Sequence, residues 1–148
     1  MVIFVESIDA SLAGGKLELG GDDTANLILG GSGENVLWGG AGTANDTLVG
    51  GTGVNVFWMG KGEGQDIITS SHSGDKVLFH NAALADVDGA NTGIRNGNMV
   101  VSLTDGSSIT LKDYANGGAE TFQFTDGGYR YDRASGSWSA FRNDEASQ

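Results

Sequence analysis

Six Asx side chains recur through the first half of this chain on a fixed spacing. Asn26, Asp46 and Asp66 fall 20 residues apart, and so do Asn35, Asn55 and Asp75. Between the two series the step alternates 9, 11, 9, 11, 9. Each residue closes a glycine-containing turn and precedes a short apolar run. Carboxylate and amide oxygens are hard donors. Set at regular turn positions in a chain of net charge −11, they suit the capture of divalent cations. Asp22 and Asp23 add two carboxylates to the first such turn. Acidity that serves solubility alone is the alternative, and the metal-ligand spacing of the turn acids argues against it.

The elements that must position these side chains follow from the repeat. Residues 21–40, 41–60 and 61–80 are three blocks of one 20-residue period, each with two glycine-rich turns. A fixed period of this length indicates a solenoid. One coil is two unequal half-turns, each ending in an Asx and a three-residue strand. The middle residue of each strand should point inward. These are Ile28, Leu37, Leu48, Phe57, Ile68 and Val77, all apolar and stacked into two columns. The half-turns over 20–26, 39–46 and 60–66 line one edge of the roll, the long edge. Those over 30–35, 50–55 and 70–75 line the other, the short edge.

The segments GGSGENVLW (30–38) and GGTGVNVFW (50–58) resemble the GGxGxDxUx nonapeptide of RTX proteins, with GGAGTANDTLV (39–49) as the same motif bearing an insertion. GKGEGQDII and SHSGDKVLF are degenerate copies. Residues 75–130 resemble the C-terminal capping segment of serralysin-type proteases and related secreted RTX proteins. The resemblance implies an all-β fold: a parallel β-roll of 20-residue coils with a C-terminal hairpin-and-strand cap. It also implies Ca²⁺ held between neighbouring turns by backbone carbonyls and one side-chain oxygen from each turn. Residues 1–19 are expected to form an N-terminal strand segment, 20–80 the roll, 81–131 the cap, and 132–148 a tail with a possible export signal.

The chain departs from the family pattern at 26, 35 and 55, where Asn replaces Asp. The long edge keeps Asp46 and Asp66, so one good site is expected between their turns. A second could use Asn26 and Asp46, helped by Asp22 or Asp23. Asn35 against Asn55 reads as a metal-free asparagine ladder, and Asn55 against Asp75 as intermediate.

The residues flanking the inward column are also apolar. Trp38 and Trp58, with Val36 and Val56, should stack on one outward face, an apolar patch of the kind that marks an interface. The alternative is that the hairpin of 98–112 or the strand 120–125 covers it; the VIFV segment near the N-terminus and Tyr129, Tyr131, Trp138 and Phe141 are further candidates. In the cap, residues 81–87 are expected to form one or two helical turns with Asn81 as N-cap. Residues 98–103 and 108–112 should be a hairpin around a Thr-Asp-Gly-Ser turn.

No catalytic constellation is present, so an enzyme is not expected. His72 and His80 lack a third ligand for zinc, and no G-x-S-x-G or lysine-bearing phosphate loop occurs. The Asp22–Asp23 pair is weak evidence for acid–base work. The absence of cysteine removes disulfides and thiolate chemistry. The acidic charge disfavours nucleic acid and anionic membranes. The N-terminal apolar run is shorter than the roughly 7–15 residues of a secretory signal. No run approaches the roughly 18–20 apolar residues of a membrane span, so no membrane insertion is expected. The resemblance instead implies passage through type I secretion machinery to the extracellular space or cell surface. The expectation is therefore a secreted, calcium-binding structural protein that folds outside the cell and self-assembles into a homo-oligomer, filament, surface layer or biofilm matrix. The alternatives are a calcium-dependent folding and export module of a larger secreted enzyme or toxin, or a carbohydrate- or surface-binding module.

Overall fold

Short apolar runs between glycine-rich turns leave room only for short strands. In the computed structural model, residues 7–141 are described, apart from the side chains of Asn116 and Phe141. The first eight strands are β1 (Ser7–Asp9), β2 (Leu17–Gly20), β3 (Leu27–Leu29), β4 (Asn35–Trp38), β5 (Thr47–Val49), β6 (Asn55–Met59), β7 (Gln65–Ser70) and β8 (Lys76–Phe79). Odd-numbered strands pair in parallel in one sheet and even-numbered strands in the other. The chain is thus an all-β parallel solenoid of about four turns with coils of ~20 residues, as its period requires.

Register follows the repeat. Ile8 lies opposite Ile28, Ile28 opposite Leu48 and Leu48 opposite Ile68. Across the roll, Leu19, Leu37, Phe57 and Val77 form the second column. All six residues expected to point inward are fully buried. Burying each such side chain contributes about 1.5–3 kcal/mol. The coils stack so closely that glycine is needed for contact as well as for conformation. A Cβ on Gly33 or Gly53 would strike the carbonyl of Gly15 or Gly33 one coil back, although neither glycine has positive φ.

The roll starts earlier than residue 20. β1 and β2 pair in register with the next coil, because Ile8, Leu17 and Leu19 keep the apolar pattern where the Gly and Asx spacing has lapsed. The VIFV segment lies outside the described residues, as do residues 142–148 of the expected export signal.

The cap keeps one helical turn but differs from expectation in that turn's N-cap, in an added strand and in how it meets the roll. The helical segment is a single 3-10 turn, Leu84–Asp86, preceded by Ala83, whose N–H donates to Asp86 Oδ2 at 2.9 Å. Asn81 is not its cap. It extends the coil pattern instead, accepting the N–H of Lys61 at 2.7 Å across one period. Next come β9 (Gly93–Arg95), β10 (Asn98–Ser102) and β11 (Ser108–Leu111). β9 and β10 form a hairpin about Asn96-Gly97, both with positive φ, as a two-residue primed turn requires. β10 and β11 form the expected hairpin. β11 also pairs in parallel with β7, and β12 (Thr121–Phe124) pairs in parallel with β8. β13 (Gly127–Asp132) then pairs antiparallel with β12, and β14 (Ser137–Phe141) antiparallel with β13.

The cap therefore prolongs both sheets edgewise and does not lie across them. This removes the alternative that the 98–112 hairpin or the 120–125 strand covers Trp38 and Trp58. Of the tail aromatics, Tyr129, Tyr131 and Trp138 are also engaged elsewhere, and the Phe141 side chain lies outside the described residues. Phe124 stacks on Phe79 at 4.5 Å, Trp138 sets its edge on Phe122 at 5.2 Å, and Tyr131 meets Trp138 at 5.0 Å. They close the far end of the core. Among the described residues, no helix is long and apolar enough to cross a membrane.

Candidate functional site

Each half-turn carries its Asx side chain between coils, and all six are buried. Buried backbone N–H groups need acceptors, and the Asx of the following coil supplies them. Asn26 N–H donates to Asp46 Oδ1 at 2.7 Å and Asp46 N–H to Asp66 Oδ1 at 2.9 Å. On the short edge, Asn55 N–H donates to Asp75 Oδ1 at 2.7 Å. The other Asp75 oxygen accepts the His72 N–H at 2.8 Å.

The two edges differ in charge. On the short edge, Asn35 Nδ2 donates to Asn55 Oδ1 at 2.9 Å and to the carbonyls of Gly31 and Gly33, both at 3.0 Å. Asn55 Nδ2 reaches the carbonyls of Gly51 at 3.3 Å and Gly53 at 3.0 Å. Amide hydrogens thus hold the turn carbonyls that a cation there would need, and an asparagine ladder joins the turns.

The long edge stacks Asn26, Asp46 and Asp66. Burial raises Asp46 above the ordinary carboxylate range, opposed by the bond from Asn26 N–H. Burial also pushes Asp66 up to about 7, opposed by the Asp46 N–H and reinforced by the charges of Asp46 and Glu63. The Lys ion pairs lie elsewhere, at Lys16–Glu34 and Lys61–Asp86. Asp22 Oδ1 accepts from Thr24, whose hydroxyl and N–H hold Asp22 below the usual range. Its Oδ2 is buried without a hydrogen-bond partner. Asp23, on the same turn, is exposed.

This edge gathers oxygen donors of the kind a hard divalent cation takes. It holds an orphaned carboxylate oxygen and two carboxylates whose burial disfavours their charge. Its turns pack through glycines at which a Cβ would strike an oxygen: Gly39 against the Asp46 carboxylate, Gly40 against the Asp22 carbonyl, and Gly64 against the Ala44 carbonyl. Among the described residues, no three His, Cys, Asp or Glu side chains group to hold a metal by themselves. Backbone carbonyls would have to complete the set, an all-oxygen environment that suits calcium. Asp46 and Asp66 would supply the carboxylates of one such site, and Asp22 beside Asp46 those of a second, with an ion offsetting the repulsion within each pair.

The aromatic face is the second feature. Val36 lies opposite Val56 and Trp38 opposite Trp58, all half-buried. The indole rings are 6.3 Å apart and tilted by 52°. Two residues that the sequence reading missed hold them. Glu63 is buried, accepts Trp38 Nε1–H at 2.7 Å through Oε1, and bonds the His80 ring through Oε2. His80 stacks on Trp58 at 5.7 Å and meets Trp38 edge-on at 5.9 Å. The available signal was an acid between two glycines in a degenerate repeat, whose role needed three-dimensional neighbours to read. Gly20 stands in register with Trp38. Beside them runs an open groove of about 300 Å³, lined by Glu18, Leu19, Gly20, Val36, Trp38 and Trp58.

Compared with known proteins, the chain matches no family model and no curated protein sequence.

Proposed function

We propose that this chain is a secreted, RTX-type calcium-binding structural protein that folds outside the cell and self-assembles into a filament, surface layer or matrix. Asp46 and Asp66 carry the reading: two stacked, buried carboxylates whose ionisation burial opposes, beside the unpartnered Asp22 Oδ2. A chain of net charge −11 folds poorly around such a pair until a cation neutralises it. Extracellular calcium modules bind at roughly 10⁻⁴–10⁻³ M, so the chain would stay loose during type I export and close outside. Assembly is assigned to the outward face bearing Val36, Trp38, Val56 and Trp58, which the cap leaves uncovered. Electron microscopy of the purified chain with and without calcium tests the reading. Polymers with calcium are expected. A calcium-bound monomer at all concentrations would instead favour a folding and export module of a larger secreted protein.

A further inference from the structure

The groove beside the aromatic pair is chemically one-sided. Leu19, Gly20 and Val36 bring it no polar side chain, and Trp38 and Trp58 bring it indoles. Its one charge is the exposed carboxylate of Glu18. The Trp38 N–H is already given to Glu63 Oε1 at 2.7 Å, which leaves the Trp58 N–H as the remaining side-chain donor of the wall. The groove thus presents π faces, methyl groups and an acid, on a chain of net charge −11. With no basic residue in its wall, it does not suit an anion.

The rings are set in place. β2, β4 and β6 bring Gly20, Trp38 and Trp58 into one outward row, and Glu18, Val36 and Val56 into the next. Gly20 has no side chain to lay over the Trp38 ring, and even a Cβ there would stand 3.8 Å from it. His80 packs on both indoles but forms no part of the groove wall. The buried Glu63 carboxyl holds Trp38 and His80 together. Two indoles 6.3 Å apart and tilted by 52° therefore stand fixed along one open volume of about 300 Å³.

Indole faces attract cations through the ring quadrupole, more strongly where water is excluded. The form of the cation follows from what the wall lacks. A primary ammonium carries three N–H donors, and Glu18 is the only carboxylate, amide or hydroxyl side chain there to accept them. A quaternary ammonium has no N–H to satisfy and turns methyl groups toward Leu19, Val36 and the indoles. We propose that this groove binds a small quaternary ammonium compound, with Trp38 and Trp58 against its methyl groups and Glu18 balancing its charge. Neither calcium nor self-assembly enters this assignment.

The test titrates the full chain, in calcium and again in chelator, with choline and with its neutral isostere, in which a tert-butyl group replaces trimethylammonium. Calorimetry reads affinity, and the indole N–H resonances of Trp38 and Trp58 report where the ligand sits. Wherever melting shows a folded chain, choline should bind at about 1 mM and shift both resonances. The neutral isostere should bind about tenfold more weakly or worse. Trp58→Ala should weaken choline about tenfold, and Trp58→Phe less, since a phenyl ring keeps a weaker π face. Glu18→Gln should keep the melting temperature and weaken choline about threefold. If Trp58→Ala fails to fold, Glu18→Lys sets a like charge at an exposed position beside the site and should weaken choline more than Glu18→Gln does. Equal affinity for choline and the neutral isostere would reduce the groove to an apolar surface and overturn the proposal. So would indole shifts with a soluble cello-oligosaccharide and none with choline, or choline affinity unchanged in the Trp58 and Glu18 variants.

Discussion

Asp66 accepts the backbone N–H of Asp46 at 2.9 Å across one 20-residue period, with both carboxylates buried. That bond supports the Asp66 charge and the Asn26 N–H supports that of Asp46, each only partly, since burial still raises both groups. Folding therefore shifts the pair toward its protonated form, and a cation bound there would relieve the same cost.

The first concerns pH. An unfolded aspartate titrates near 3.9, whereas Asp66 in the roll titrates at about 7 and Asp46 is also raised. The cation-free folded chain then binds protons more tightly than the unfolded chain. Its stability rises as pH falls, is fully gained below about 4, and is lost as pH climbs through about 7. Carboxylates held low by Thr24 and Ser135, namely Asp22 and Asp132, subtract only at more acid pH. In chelator, the melting temperature should be higher at about pH 5 than at about pH 8, and excess calcium should flatten or reverse that order. A chelated chain that melts higher at about pH 8 would show that this pair does not govern stability.

The second separates the edges. Asp46→Ala removes a carboxylate from the long edge and should weaken calcium binding by about tenfold or more, ~1.4 kcal/mol per tenfold. Asn35→Ala removes three amide hydrogen bonds on the short edge. It should lower stability by about 1–3 kcal/mol with little change in calcium affinity. Calorimetry and thermal melting read the two effects, and equal losses of affinity would mean that the edges are wrongly assigned.

The third concerns the aromatic face. Trp58→Ser leaves the Trp38–Glu63 bond in place and should reduce self-association with a small change in melting. Trp38→Ser should also cost about 1–3 kcal/mol, because a buried Glu63 oxygen loses its donor. Light scattering beside thermal melting distinguishes them. Polymers of unchanged mass in Trp58→Ser would exclude this face as the interface.

The sequence pattern and the structure agree where one physical constraint repeats. The six inward residues were legible because a 20-residue apolar register leaves one consistent packing. The Asn35–Asn55 ladder was legible because two amides on adjacent coils must meet. Other features lacked that redundancy. β1 and β2 belong to the roll through Ile8, Leu17 and Leu19, while their turns carry no motif. β9 depended on a single Asn-Gly turn signal, and β13 and β14 straddle the boundary expected between cap and tail at 131 and 132, where no strand was expected. Glu63 and His80 are 17 positions apart. Nothing local brings them together, and only the stacking of coils sets both beneath Trp38.

The most direct test of the account is circular dichroism with thermal melting, in chelator and across a calcium titration. The account predicts a loosely folded chain in chelator that gains β-structure and melting temperature as calcium passes through roughly 10⁻⁴–10⁻³ M. Each ion should add about 2.7 kcal/mol at a hundredfold excess over its dissociation constant. The same spectrum and the same melting temperature in chelator and in excess calcium would contradict it.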